Sequence, residues 1–135
     1  MAGPTIVTVH HLEHALLAAE LGQELRRELR LLSPPAAALY LGPGWIDAIE
    51  RAVEARLGRR VAGILDCADR PDLVQAAFRQ GTRAVVFHGP RRVADKLIDI
   101  AAAHGASLLR RRPRALDLGA EADPRAALRR HLAAD

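Results

Sequence analysis

Short apolar, β-branched runs recur along this chain, and between them lie longer stretches with helical spacing. The run that constrains the fold most is Val61–Asp69, Val-Ala-Gly-Ile-Leu-Asp-Cys-Ala-Asp. Its first half is apolar and short enough for a strand buried on both faces, and it stops at Asp66 and Cys67. A parallel sheet presents such residues at the open, carboxyl end of its strand. Further strands are expected at Thr5–Val9, Leu29–Leu32, Ala84–Phe87 and Ser107–Leu109, with an edge piece at Ala115–Leu118. Helices are expected over Leu12 to about Glu28, Trp45–Leu57, Pro71–Gln80, Pro90 to about His104, and Pro124–Ala133 capped by Asp123. The six apolar residues Ala36–Leu41 carry no decisive period and fit either a strand or a loop with a helical turn.

Strict alternation of strand and helix predicts an α/β protein with right-handed crossovers. The expected architecture is a mostly parallel five-stranded sheet with covering helices, either a half-barrel or an open, flavodoxin-like three-layer arrangement. A length of 135 residues, without internal repeat or low-complexity linker, predicts one α/β domain over 1–135. Only four residues are aromatic, so the core is expected to be Leu, Val, Ile and Ala.

Positive charge resides almost wholly in arginine, Lys96 being the single lysine. Between 110 and 135, seven arginines against four acids account for three of the four net positive charges. Such a basic tail suits phosphate or nucleic acid, but no aromatic residues interleave with the arginines for base stacking, and a solvated face is the favoured reading. One cysteine, Cys67, cannot form an intrachain disulfide, which fits a reducing compartment. No basic leader followed by a long apolar run is present, and no segment reaches the ~20 apolar residues of a membrane span. A soluble cytoplasmic protein, without membrane contact, is the expectation.

Strand ends gather the candidate chemistry, since ligands of parallel α/β folds bind outside the carboxyl ends of the strands. His10 and His11 follow the first strand, Ser33 the second, Asp66 and Cys67 the central one, His88 the next, and Arg110–Arg112 the last. Asp66 is the candidate acid/base; Ser33, His88 and Arg110 are candidate ligand-binding residues. Cys67, His10 and His11 are candidate metal ligands, because thiolate and imidazole bind zinc while a carboxylate moves protons. A strand-end rim also collects polar residues simply by meeting water, and a lone cysteine is more often a small buried hydrophobe. His14 and His104 fall on helices as surface residues. Gly42-Pro43-Gly44 lacks the spacing of a dinucleotide fingerprint, and there is no P-loop.

Read in order, several segments resemble the first part of the class II, zinc-dependent fructose-bisphosphate aldolases. Val7–Glu20 is similar to that family's first strand and helix, and Ser33–Gly42 to its Ser-Pro-Gly-Ala-Ala-x-Tyr-x-Gly loop. Ile64-Leu65-Asp66-Cys67 stands where the family has His-Leu-Asp-His, and Val85–Gly89 where it has an apolar run ending Asp-Gly-Ser. The likeness covers about residues 5–109. It implies a loop at Ala36–Leu41, the place of the catalytic proton donor for Asp66, and that of a substrate-contacting serine for Ser33. Cys67 replaces the family's zinc-ligand histidine, His10 and His11 replace its asparagines, and strands carrying the remaining zinc ligands and phosphate-binding residues have no counterpart.

An eight-stranded barrel cannot close on about five strands, so an open sheet or strands borrowed from a partner are expected, and with them a homodimer or higher oligomer. The expected function is an aldolase-related protein that is not a competent aldolase and binds a small anionic, phosphorylated ligand or a protein partner, with no cofactor. Alternatives are a metal-dependent lyase acting on a sugar phosphate, using zinc at Cys67, His88 and His10 or His11, and nucleic-acid binding through the arginine-rich tail.

Overall fold

A computed structural model describes residues 3–134. It contains six parallel strands, β1 (Thr5–Thr8), β2 (Leu29–Leu32), β3 (Gly63–Asp66), β4 (Ala84–Val86), β5 (Ser107–Leu109) and β6 (Leu116–Asp117). The helices are α1 (Leu12–Glu24), α2 (Ala37–Tyr40), α3 (Trp45–Leu57), α4 (Pro71–Arg79), α5 (Arg91–Ala103) and α6 (Pro124–Ala133). Ala36–Leu41 is thus a loop built around one helical turn, entered through Ala36 at φ 56°.

Strand order is β5-β4-β3-β2-β1-β6, an open α/β sheet with six strands rather than five. From β1 to β5 every step moves one place in the same direction. Right-handed crossovers then put the connecting helices on one face, as in a half-barrel and unlike a doubly wound fold. The core agrees. Val7, Leu29, Leu31, Leu65 and Val85 pack with α1, α3, α4 and α5 in one large cluster. Leu32, Ile64, Ala84 and Val86, which alternate with them along the strands, form a separate small cluster on the other face.

What covers that second face is the chain itself. β5 and β6 lie at opposite edges of the sheet, joined by residues 110–115. Seven Cα steps reach about 24 Å at most, roughly the width of six flat strands. The link crosses from one edge of the sheet to the other as a strap, with Arg112 on it reaching Thr8, Ser33 and Asp66. Leu109 and Ala115, at its two ends, pack on Leu32, Ile64, Ala84 and Val86, all at most 1% exposed.

α1 stops at Glu24, earlier than its apolar spacing suggests, because the chain must reverse into β2 through Arg26 at φ 54°. Gly22 makes the reversal tight: a Cβ there would stand 2.8 Å from Leu29 Cδ1 and 3.1 Å from the Arg27 carbonyl oxygen. α3 approaches β3 equally closely, since a Cβ on Gly63 would lie 2.5 Å from Ile46 Cγ1. Beside that contact α3 buries two acids. Asp47 accepts from Arg51 Nε (2.6 Å) and Arg60 Nη2 (2.9 Å), and Glu50 from Arg60 Nε (3.0 Å). Burial pushes the Glu50 carboxyl above its ordinary value despite the Arg60 hydrogen bond.

Among the described residues, no helix is long and apolar enough to cross a membrane.

Candidate functional site

Asp66 ends β3 at 1% exposure, and Ser33, fully buried, follows β2. The two adjoin, as neighbouring parallel strands require: the Asp66 amide donates to Ser33 Oγ at 2.9 Å, while that hydroxyl donates to the Pro34 carbonyl at 3.1 Å. Asp66 Oδ1 accepts from the Ala68 amide at 2.9 Å, which holds the sharp turn at Ala68, φ 54°. Its other oxygen accepts from Arg112 Nη1 at 2.9 Å. The same Nη1 donates to the Ser33 carbonyl at 2.9 Å, and Nη2 reaches Thr8 Oγ1 at 3.5 Å.

One guanidinium on the strap therefore ties together the carboxyl ends of β1, β2 and β3. Both oxygens of the Asp66 carboxylate have donors, and the Ser33 hydroxyl has both a donor and an acceptor. Sequence reasoning placed arginines at this rim but singled out Arg110. Three consecutive arginines give no signal for which one turns inward; the path of the strap decides it.

Arg110 is exposed and donates from Nη2 to the Gly89 carbonyl at 2.6 Å, clamping β5 to the loop after β4. His88, also exposed, is on that loop, and its amide donates to the Ala68 carbonyl. α5 begins directly afterwards with Arg91 and Arg92; it has no side-chain cap and no acid in its first turn. Cations at a helix N-terminus oppose the macrodipole, so this start is electrostatically unsatisfied by its own sequence. Arg111 is exposed at the same strand end.

The candidate metal ligands are placed apart from this network. Cys67 is fully buried in the helix-side core, where burial, then Asp66 and Asp72, push its thiol up to about 12. Without a metal beside it, a thiol so held stays protonated and packs as a small apolar group. His11 is the N-cap of α1, its Nδ1 accepting from the His14 amide at 3.4 Å. His10 Nε2 meets Asp117 Oδ1 at 2.7 Å, which joins the end of β1 to β6. His14 is half-buried rather than a free surface residue. Its Nδ1 accepts from the His10 amide and its ring lies 3.8 Å from that of His11. Burial, followed by His11 and His10, lowers its pKa below the ordinary 6.5. Among the described residues, no three His, Cys, Asp or Glu side chains form a group that could hold a metal ion.

Fold and rim together define an open, all-parallel α/β protein with its polar network at the carboxyl ends of the strands. No protein-family model matches the chain, and no curated protein matches it.

Proposed function

We propose that this chain is an aldolase-related α/β protein that binds a small anionic, phosphorylated ligand at its carboxyl-end rim and is not a competent aldolase. The supporting observation is the uncapped start of α5, with Arg91 and Arg92 in its first turn beside the Arg110–Gly89 clamp and exposed His88. An anion there would meet free backbone N–H groups, the positive end of a 13-residue helix and several guanidinium donors at once. The bonded state of Asp66 supports the non-catalytic half of the reading, because a general acid must have an oxygen free to reach substrate.

Titration with a hexose bisphosphate, followed by thermal unfolding, tests it. Ligand at 100 times its Kd stabilises the fold by about 2.7 kcal/mol. Arg91→Gln with Arg110→Gln should remove most of that gain, and no aldol cleavage should appear with or without added zinc. Absence of stabilisation removes the ligand reading, and zinc-dependent turnover removes the non-catalytic one.

A second surface fits the protein-partner reading. Leu39, Tyr40 and Leu41, at the tip of the loop after β2, are 47%, 61% and 40% exposed. Such adjoining apolar side chains suit a partner or a second copy of the chain. Light scattering of Tyr40→Ser against the unsubstituted protein at micromolar concentration tests the homo-oligomer.

A further inference from the structure

The opposite end of the sheet carries a second concentration of arginine that the rim does not use. Where the strands begin, Arg30, Glu50, Arg60, Ala62, Gly63 and Arg83 line a cleft of about 210 Å³. Arg30, Arg60 and Ala62 continue into an adjoining hollow of about 540 Å³ that Glu28 and Arg59 also line. Ala62 and Gly63 contribute no large side chain to this lining, and Ile46 Cγ1 and Glu50 Oε2, 2.5 and 3.0 Å from where a Gly63 Cβ would stand, keep that position glycine.

The three arginines of the smaller cleft differ in what they already hold. Arg60 is engaged by Glu50 at 3.0 Å, Asp47 at 2.9 Å and Glu54 at 3.7 Å. The guanidinium groups of Arg30 and Arg83 have neither a hydrogen bond nor an ion pair among the described residues, although the Arg83 carbonyl accepts from the Ser107 amide. Arg30 is the one charged residue of β2 and is half-buried. Taking a guanidinium part-way out of water without an acceptor is costly. Arg60 is balanced by Glu50, Asp47 and Glu54, so the positive charge that the cleft leaves without a carboxylate is that of Arg30 and Arg83.

We propose that this cleft is a site for a phosphate dianion, free or as a monoester, with Arg30 and Arg83 as its hydrogen-bonding forks and the carboxylate-held Arg60 as a fixed wall. Guanidinium groups without a carboxylate partner are the donors that bind phosphate oxygens in pairs, and the cleft has room for the ion and for the organic part of a monoester. The site is separate from the rim and stands or falls without it.

Amide NMR of the full chain in 0.15 M NaCl tests this, with inorganic phosphate and then glycerol 3-phosphate as titrants and succinate as comparator. Saturable shifts at Ala62, Gly63 and Arg30 are expected, distinct from any at Gly89 and Arg91. Tighter binding of the monoester identifies an organic phosphate as the occupant, and equal or weaker binding identifies the free ion. Arg30→Gln with Arg83→Gln should weaken binding at least tenfold, while Arg125→Gln on α6 leaves it unchanged. Should the double variant not fold, Arg83→Gln alone, at an exposed position, should cost at least threefold. The proposal is overturned if Ala62 and Gly63 do not respond, if succinate binds as well as phosphate, or if a folded Arg83 variant binds as the unsubstituted protein does.

Discussion

Asp66 and Arg112 form the bond on which the candidate site turns, and their burial is unequal: the Asp66 side chain is 2% exposed and that of Arg112 27%. Removing Arg112 would leave a carboxylate in the protein interior with one donor, the Ala68 amide, and would free the Ser33 carbonyl as well. Arg112→Ala should therefore cost about 3 kcal/mol in urea denaturation at neutral pH. Adding Asp66→Asn to that variant should recover part of the loss, because the stranded charge is then gone; a strictly additive pair of losses would contradict the bond's role. Cys67 gives a pH signature. Its folded-state pKa of about 12 exceeds the ordinary thiol value of 9.0, so between these limits the unfolded chain releases a proton that the folded chain keeps. Stability from this group is complete below pH 9 and falls as pH rises toward 12. Cys67→Ala should flatten that alkaline decline in denaturation curves, and native Cys67 should resist alkylation until the protein opens.

At the level of elements, the tight α1–β2 reversal shows packing overriding propensity. Alanine in place of a helical glycine is ordinarily worth up to about 1 kcal/mol. At Gly22 the added methyl would press on Leu29 Cδ1 at 2.8 Å and on a backbone oxygen at 3.1 Å, and overpacking of this kind costs about 1–3 kcal/mol. Gly22→Ala should accordingly lower the urea midpoint; a raised midpoint would mean that the reversal is looser than this contact indicates. The same element explains why α1 is shorter than its apolar spacing suggests. Leu25 continues the helical period, but the next residue takes a left-handed conformation so that Leu29 can enter the sheet.

For the molecule as a whole, the consequential feature is the strap. The open sheet leaves a small apolar cluster on the face away from the helices, and the link 110–115 sets Ala115 against it beside Leu109 of β5 and Ile6 of β1. Ala115→Asp would set a charge against Leu32 and Ile64. It should raise binding of an apolar dye and, by light scattering, self-association relative to the unsubstituted protein. Unchanged scattering and dye binding would show that the strap is not what shields the face.

Alternation of apolar strands with amphipathic helices is local chemistry, set by side-chain period and by turn residues. The α/β class, the mostly parallel sheet and the placing of Ser33 and Asp66 each at a strand's carboxyl end were therefore legible from residue order, whereas their adjacency came from the β2–β3 pairing. The sequence could also have drawn attention to Arg30, a lone charge inside the apolar Leu-Arg-Leu-Leu strand. Three features depended on distant parts of the chain meeting: the turn of Arg112 toward Asp66, the pairing of Leu116–Asp117 with β1 at the far edge, and the gathering of Arg30, Arg60 and Arg83 round one cleft. Contacts between residues 46 or 109 positions apart leave no periodic trace in the sequence, and only the folded path of the backbone chooses among neighbouring arginines of identical chemistry.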